Sequence, residues 1–189
     1  MEQIEDKKGT FIILHSKREA PDIYKSAEKE LNAYGYAIQL LEHNKNIKSF
    51  CTYLVQSDSP QPYYILAYGE SVRRLAKLKK SLPAKLEAII LISPIVAINK
   101  LINFRGRTIL QKPNFLSGHK TSILIFTTSL ASNKYLDTIA DMCTSYRMIY
   151  SIVIKGAKTH LLEDSSAYQN QFWAGLRAYL NLGKSQETF

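Results

Sequence analysis

The sequence has little of the residue chemistry that marks metal centres and secreted disulfide scaffolds. It contains two cysteines, Cys51 and Cys143, and four histidines, and these residues do not show the spacing of a metal site. Two isolated cysteines do not form a disulfide framework, which favours a reducing compartment. We therefore expect no metal, no cofactor and a cytoplasmic protein, with both cysteines acting as small core residues.

Motifs for nucleotide binding and for membrane insertion are missing as well. Neither the Gly-x-Gly-x-x-Gly fingerprint nor the P-loop pattern occurs in the chain. The most apolar run, residues 88–98, contains Ser93-Pro94 and falls short of the ~20 residues needed to span a bilayer. The charged N-terminus lacks the apolar stretch of a secretory signal. The pattern predicts a chain without a transmembrane segment.

Length and composition predict a single globular domain. The chain has 189 residues, of which 46% are hydrophobic and 22% are charged, values that are ordinary for a soluble domain. We expect residues 1–8 to form an N-terminal extension, residues 9–182 to form the domain, and residues 183–189 to form a C-terminal tail.

The chain has an excess of positive charge. Its 25 lysines and arginines against 16 acidic residues give a formal net charge of +9, which is compatible with an acidic protein partner or an anionic surface. Five of these cations, at positions 73, 74, 77, 79 and 80, fall in one predicted helix. That helix lacks the interleaved aromatic residues of a single-strand platform, which disfavours a nucleic-acid partner. The oligomeric state stays open at this point.

Short apolar segments alternate with helix-like segments along the chain. Strands are predicted at Thr10–Leu14, Tyr36–Leu41, Tyr63–Tyr68, Leu86–Ile92, Thr121–Thr127 and Tyr150–Ile154. Helices are predicted at 23–34, 46–56, 72–82, 133–145 and 166–180. Such alternation favours an α/β fold, a three-layer sandwich in which helices cover a mostly parallel sheet of about six strands. In such sheets, ligands sit beyond the carboxyl ends of the strands.

The third predicted strand leads directly to a candidate nucleophile. After Tyr63–Tyr68 the chain turns through Gly69 and reaches Ser71 before the next predicted helix begins. A serine held on a strand-to-helix bend is exposed above the sheet, where it can attack a substrate. Serine is also a favoured residue at a helix start, so a structural role for Ser71 stays open.

In the order of its strand-end motifs, the chain resembles a small α/β-hydrolase that begins at that family's third strand. Leu14-His15 looks like the family's oxyanion turn, residues 89–94 are similar to the strand after its nucleophile elbow, and residues 154–160 are similar to its last strand and histidine loop. The resemblance covers about residues 9–182. It implies a serine hydrolase of the esterase or thioesterase type, acting on a small ester or thioester.

The same resemblance assigns roles to particular residues. Ser71 would be the nucleophile, and His160 would remove its proton, because a serine hydroxyl is a poor nucleophile unless a base assists it. The backbone N–H groups of Val72 and Ser16 would form the oxyanion hole. His15, at the end of the first strand, is expected to be structural.

Two positions depart from the family pattern and favour an alternative. Arg73 stands where the Gly-x-Ser-x-Gly pattern has its second glycine, and the loop at 128–133 carries no carboxylate. Asn133 is the only candidate there for the third member of a triad, and its amide cannot stabilise an imidazolium by charge. The alternative is a catalytically inactive hydrolase-like protein that acts as a binding or scaffold component through its basic surface.

Overall fold

The structure, a computed structural model, describes residues 7–15, 21–42, 46, 61–68, 71, 85–92, 121–145, 148–157 and 166–185. Six strands and three helices are defined within these residues. In chain order they are β1 (Thr10–Leu14), α1 (Pro21–Ala33), β2 (Ala37–Leu41), β3 (Tyr63–Tyr68), β4 (Leu86–Ile92), β5 (Ser122–Thr128), α2 (Asn133–Ser145), β6 (Ile149–Ile154) and α3 (Ser166–Ser185).

The predicted elements agree closely with these bounds. β1, β3, β4 and α2 begin and end at the predicted residues. β2 and β6 differ by one residue at the start, β5 lies one residue later at both ends, and α1 begins two residues and ends one residue earlier than predicted. α3 is the main difference, since it continues to Ser185 rather than ending near Leu180. A single glycine, here Gly183, costs a helix only about 1 kcal/mol and does not end it. The helix predicted at 72–82 lies outside the described residues, as does the helix predicted at 46–56 except for Asn46.

All six strands pair in parallel in one sheet, in the order β2-β1-β3-β4-β5-β6. The central strands are buried along almost their whole length; every residue of β3 is buried, for example. Near-continuous apolar sequence is what a strand needs when both faces of the sheet are covered. The predicted α/β fold with a mostly parallel sheet of six strands is therefore confirmed.

Chain direction places the helices on two faces of the sheet. The crossover through α1 leads from β1 to β2 on one side, whereas the crossover through α2 leads from β5 to β6 in the opposite direction. Because parallel crossovers are right-handed, opposite directions put α1 and α2 on opposite faces. α3 shares its face with α1, since buried residues of both helices belong to one apolar cluster. The layers are thus helix, sheet and helix.

The apolar cluster shows how the amphipathic helices attach. α1 contributes Tyr24, Ala27 and Leu31, whose spacing puts them on one side of the helix. α3 contributes Phe172, Trp173, Leu176 and Leu180 in the same way. They pack on alternate residues of the strands, among them Leu66, Ile90 and Phe126.

The strand order creates one point where a ligand cleft is expected. From β1 the chain passes to β2 on one side and then to β3 on the other, so the order reverses between β1 and β3. In open α/β sheets the ligand crevice lies at such a switch point, beyond the carboxyl ends of the strands. His15 follows β1 and Ser71 follows β3, so the two residues flank it.

Candidate functional site

Only part of the predicted site lies within the described residues. Ser71 and Asn133 are described, whereas Ser16, Val72 and His160 lie outside the described residues. Arg73 and residues 99–120 are also outside them. The contacts of Ser71 and of the neighbouring strand ends therefore carry what can be said of the site.

The Ser71 hydroxyl is enclosed at the end of β3. The residue has no exposed surface (0%). Its Oγ accepts a hydrogen bond from the backbone N–H of Tyr68 at 2.8 Å and donates one to the backbone carbonyl of Tyr68 at 2.8 Å. Tyr68 is the last residue of β3, so the hydroxyl bonds the backbone edge of the strand's final residue much as a neighbouring strand would.

These two hydrogen bonds use the hydroxyl hydrogen and an oxygen lone pair, both of which the hydroxyl needs for catalysis. A serine hydroxyl has one hydrogen to donate, and here that hydrogen points to the Tyr68 carbonyl. General-base catalysis needs the same hydrogen to point to an imidazole. For acyl transfer, Ser71 would have to leave both bonds to Tyr68 and become accessible to a substrate. The described geometry favours a structural role for the hydroxyl.

His15, on the other side of the switch point, is held by packing. Its backbone N–H donates to the carbonyl of Leu41 at 3.1 Å and so extends the pairing of β1 with β2. Its ring lies edge-on to the ring of Tyr24 with 5.1 Å between centroids. The Tyr24 hydroxyl, in turn, donates to the Leu14 carbonyl at 3.4 Å. These contacts agree with the structural role expected for His15.

Hydroxyl groups, not carboxylates, gather at the carboxyl end of β5. Thr127 and Thr128 are buried, and neither side-chain oxygen has a hydrogen-bond partner among the described residues. Ser129 is exposed and joins β5 to β6: its N–H donates to the Ile154 carbonyl at 3.2 Å, and its Oγ accepts from the Gly156 N–H at 2.9 Å. No acidic residue occurs between positions 127 and 133.

Asn133 occupies the start of a helix. It is the first residue of α2 and is exposed. Its proposed part in orienting His160 stays a prediction, because His160 lies outside the described residues.

The turn after β6 begins the segment that leads to His160. Gly156 has a φ of +76°, a left-handed conformation that glycine adopts without strain. A Cβ at this position would lie 3.0 Å from the Tyr168 hydroxyl oxygen. The hydrogen bond from Gly156 to Ser129 therefore fixes a turn that other residues would fit poorly.

Two tyrosines at the amino end of the sheet have raised pKa values. Burial raises the pKa of Tyr36 and of Tyr179, and hydrogen bonds to Tyr64 and to Ser122 partly oppose the two shifts. Tyr36 precedes β2, and Ser122 begins β5, so both groups belong to the amino end. Perturbed pKa values often indicate functional sites, but these shifts follow from burial in the core.

The described part of the chain offers neither a metal-binding cluster nor a membrane-spanning helix. Its histidine, cysteine and acidic residues form no group of three or more that could hold a metal ion. None of its helices is both long and apolar enough to cross a membrane.

The enclosed hydroxyl predicts a stability effect at Ser71. We expect Ser71→Ala to lower the free energy of unfolding by about 1–3 kcal/mol, because it removes the partner of two buried backbone groups. Ser129→Ala is the matched control. Its hydroxyl is exposed and water can replace it, so we expect a change within about 0.5 kcal/mol. Urea unfolding followed by circular dichroism measures both. Equal stability of the two variants would contradict the structural role of Ser71.

Comparison with known proteins supports the fold. No protein-family model matches the chain, and no curated protein matches it by sequence. Among solved structures, the chain is similar to a "putative YdeN-like hydrolase" from Pectobacterium atrosepticum, with a TM-score of 0.51 and 11% sequence identity over 81% of this chain and 80% of that chain. At this identity the likeness is one of fold alone. The chain shares with that protein an α/β fold, here a parallel six-stranded sheet with helices on both faces.

Proposed function

We propose that this protein is a catalytically inactive, hydrolase-like binding component, in which Ser71 closes the end of β3 and a basic surface binds an acidic protein partner. The observation that carries the proposal is the enclosed Ser71 hydroxyl, which is 0% exposed and bonds both backbone groups of Tyr68. The lack of an acidic residue between positions 127 and 133 supports it, since a histidine base needs a group that orients it and balances its charge.

The binding part of the proposal rests on charge. The chain carries a formal net charge of +9, and five cations fall between positions 73 and 80. A concentration of one charge sign attracts a partner of the opposite sign and speeds its association. A hydrolase-like fold does not oppose this reading, because one fold commonly supports unrelated functions.

A second candidate is the serine hydrolase that the sequence predicts. It is favoured by the position of Ser71 after β3, beside the switch point where crevices form. In this proposal His160 takes the Ser71 proton while Oγ attacks the carbonyl carbon of a small ester or thioester. The N–H groups of Val72 and Ser16 stabilise the oxyanion. The leaving alcohol or thiol takes the proton from the imidazolium, and water then hydrolyses the acyl-enzyme.

Covalent labelling separates the two candidates. A fluorophosphonate probe phosphonylates an activated serine Oγ and releases fluoride, so it reports on a working nucleophile. We expect no labelling of the wild-type protein, because the Ser71 hydroxyl is enclosed and its hydrogen is donated to Tyr68. Intact-protein mass spectrometry measures the outcome. Labelling of the wild type that disappears in Ser71→Ala would overturn inactivity and establish the serine hydrolase.

Binding to an acidic polypeptide tests the other half of the proposal. We expect the chain to be retained on immobilised polyglutamate and the variant Arg73→Glu/Arg74→Glu/Lys77→Glu to elute at much lower salt. The matched control is Lys8→Glu/Lys29→Glu/Lys155→Glu, which changes the net charge equally at three exposed positions. Elution of both triple variants at the same salt concentration would show that only total charge matters and would contradict a specific basic surface.

A further inference from the structure

Tyr150 of β6 and Tyr179 of α3 bring two phenol rings into contact. The ring centroids lie 6.0 Å apart and the ring planes are inclined by 58°. Tyr150 shares a face of β6 with Ile152 and Ile154, because alternate residues of a strand point the same way. Ile152 and Ile154 pack in the apolar cluster that α3 covers. The strand therefore directs Tyr150 toward the helix that carries Tyr179.

A hydrogen bond fixes the position of the Tyr179 ring. The Tyr179 hydroxyl and the Ser122 hydroxyl at the start of β5 are hydrogen-bonded to each other. Burial raises the pKa of Tyr179, the bond to Ser122 opposes this shift, and repulsion from the Tyr150 phenolate and from Glu87 raises the pKa further. Because repulsion between charges weakens with distance, the phenol oxygens of Tyr150 and Tyr179 are close neighbours. The two rings thus meet near their hydroxyl ends.

The pair is accessible from solvent. Tyr150 is 46% exposed, and Tyr179 is partly buried against the apolar cluster. Tyrosine rings contact each other at one further place in the described part of the chain, where Tyr36 and Tyr64 lie 5.5 Å apart at 83°. These two residues are only 3% and 9% exposed. The two contacts are of similar length, but the one between β6 and α3 is open to a reagent in solution.

We propose that Tyr150 and Tyr179 form an oxidative cross-linking site, in which a one-electron oxidant joins the two rings as an intramolecular dityrosine. The oxidant takes one electron and the phenolic proton from each tyrosine. The two radicals then form a carbon–carbon bond between ring carbons that neighbour the hydroxyl-bearing carbons. The hydrogens on these carbons move to the oxygens, which restores both phenols. With a haem peroxidase as catalyst, one molecule of hydrogen peroxide accepts the two electrons and two protons and becomes two molecules of water.

The arrangement of the rings suits this bond. The reacting carbons flank the phenol oxygens, and the rings meet at their hydroxyl ends. Two rings joined by a single bond are twisted about it, and the planes of this pair are already inclined by 58°. Coupling brings the rings closer by roughly 2 Å, a displacement that an exposed side chain makes by rotamer motion. The pair of Tyr36 and Tyr64 would have to turn a ring within a close-packed core.

The cross-link would attach α3 to the edge strand of the sheet by a covalent bond. It would close the chain between residues 150 and 179, and a cross-link of this span lowers the entropy of the unfolded state. The site therefore lets an oxidant stabilise the domain although the chain has only two cysteines. The proposal is independent of the proposed function.

Peptide mapping after oxidation tests the site. Dilute protein is treated with a haem peroxidase and hydrogen peroxide, and the monomer is isolated by size exclusion. We expect its intact mass to fall by two hydrogen atoms and dityrosine fluorescence to appear. Trypsin releases residues 148–155 and 178–184 as separate peptides with one tyrosine each, so the cross-link should appear as these two peptides joined.

Two variants and an unfolded sample control the mapping. Tyr150→Phe should not form the joined peptides, because phenylalanine gives no phenoxyl radical. Tyr168→Phe should form them as the wild type does, since Tyr168 is a partly buried tyrosine of the same helix that lies outside the pair. A wild-type monomer that keeps all its hydrogen atoms, a cross-link between other tyrosines in its place, or an equal yield of the joined peptides from the urea-unfolded chain would overturn the proposal.

Urea unfolding of the cross-linked monomer tests the consequence for stability. We expect its midpoint to rise by about 1–2 M above that of the untreated protein, because the cross-link restricts the unfolded chain. Tyr150→Phe treated with the same oxidant controls for other modifications and should keep its midpoint. A cross-linked monomer that unfolds at the same urea concentration as the untreated protein would contradict stabilisation by this site.

Discussion

The paired hydrogen bonds between the Ser71 hydroxyl and the backbone of Tyr68 are the interaction on which the functional account depends. Both bonds measure 2.8 Å and both are buried. A buried backbone N–H or C=O without a partner costs about 1–3 kcal/mol, so a strand that ends inside the protein needs something to complete its edge. A serine three residues further along the chain supplies that group at the last residue of β3. Ser71, which stands where the resemblance places a nucleophile, therefore has a structural role.

The parallel sheet explains why such a task arises at the carboxyl edge. Strands of a parallel sheet end next to the helices and loops that follow them, and their last backbone groups lie between covered faces. At the end of β5, the backbone N–H of Ser129 bonds the Ile154 carbonyl, and its exposed Oγ accepts a hydrogen bond from Gly156 that water could replace.

Much of the fold could be predicted from the sequence, because strands that are buried on both faces appear as continuous apolar runs. The continuous apolar runs of β3 and β4 gave their bounds without error, and Gly35 marked the end of α1 within two residues. The spacing of Phe172, Trp173 and Leu176 predicted the buried side of α3. The end of α3 was less predictable, because the residues after Leu180 form helix without a terminating signal.

The candidate site could be predicted only as a set of positions. Sequence order places Ser71 after β3 and His15 after β1, and the strand order then brings those strands side by side. The direction of a hydroxyl hydrogen and the exposure of an oxygen depend on the rotamer and on the packing around it, so they leave no trace in the sequence. The short separation of Ser71 from the strand end was the one available signal, because serine side chains often bond backbone groups three or four residues earlier. The buried hydroxyls of Thr127 and Thr128, which have no hydrogen-bond partner among the described residues, likewise have no counterpart in a sequence motif.

Amide hydrogen exchange at Tyr68 tests the central claim most directly, because it reports on the backbone N–H that donates a hydrogen bond to the Ser71 hydroxyl. In the wild type the Tyr68 amide should exchange slowly, as expected for a buried hydrogen-bonded group. In Ser71→Ala it should exchange roughly 5–150-fold faster, the factor that corresponds to a loss of about 1–3 kcal/mol, and the increase should exceed that at Leu66 within the same strand. A Tyr68 amide that exchanges rapidly in the wild type, or one that changes no more than Leu66 in the variant, would contradict the account.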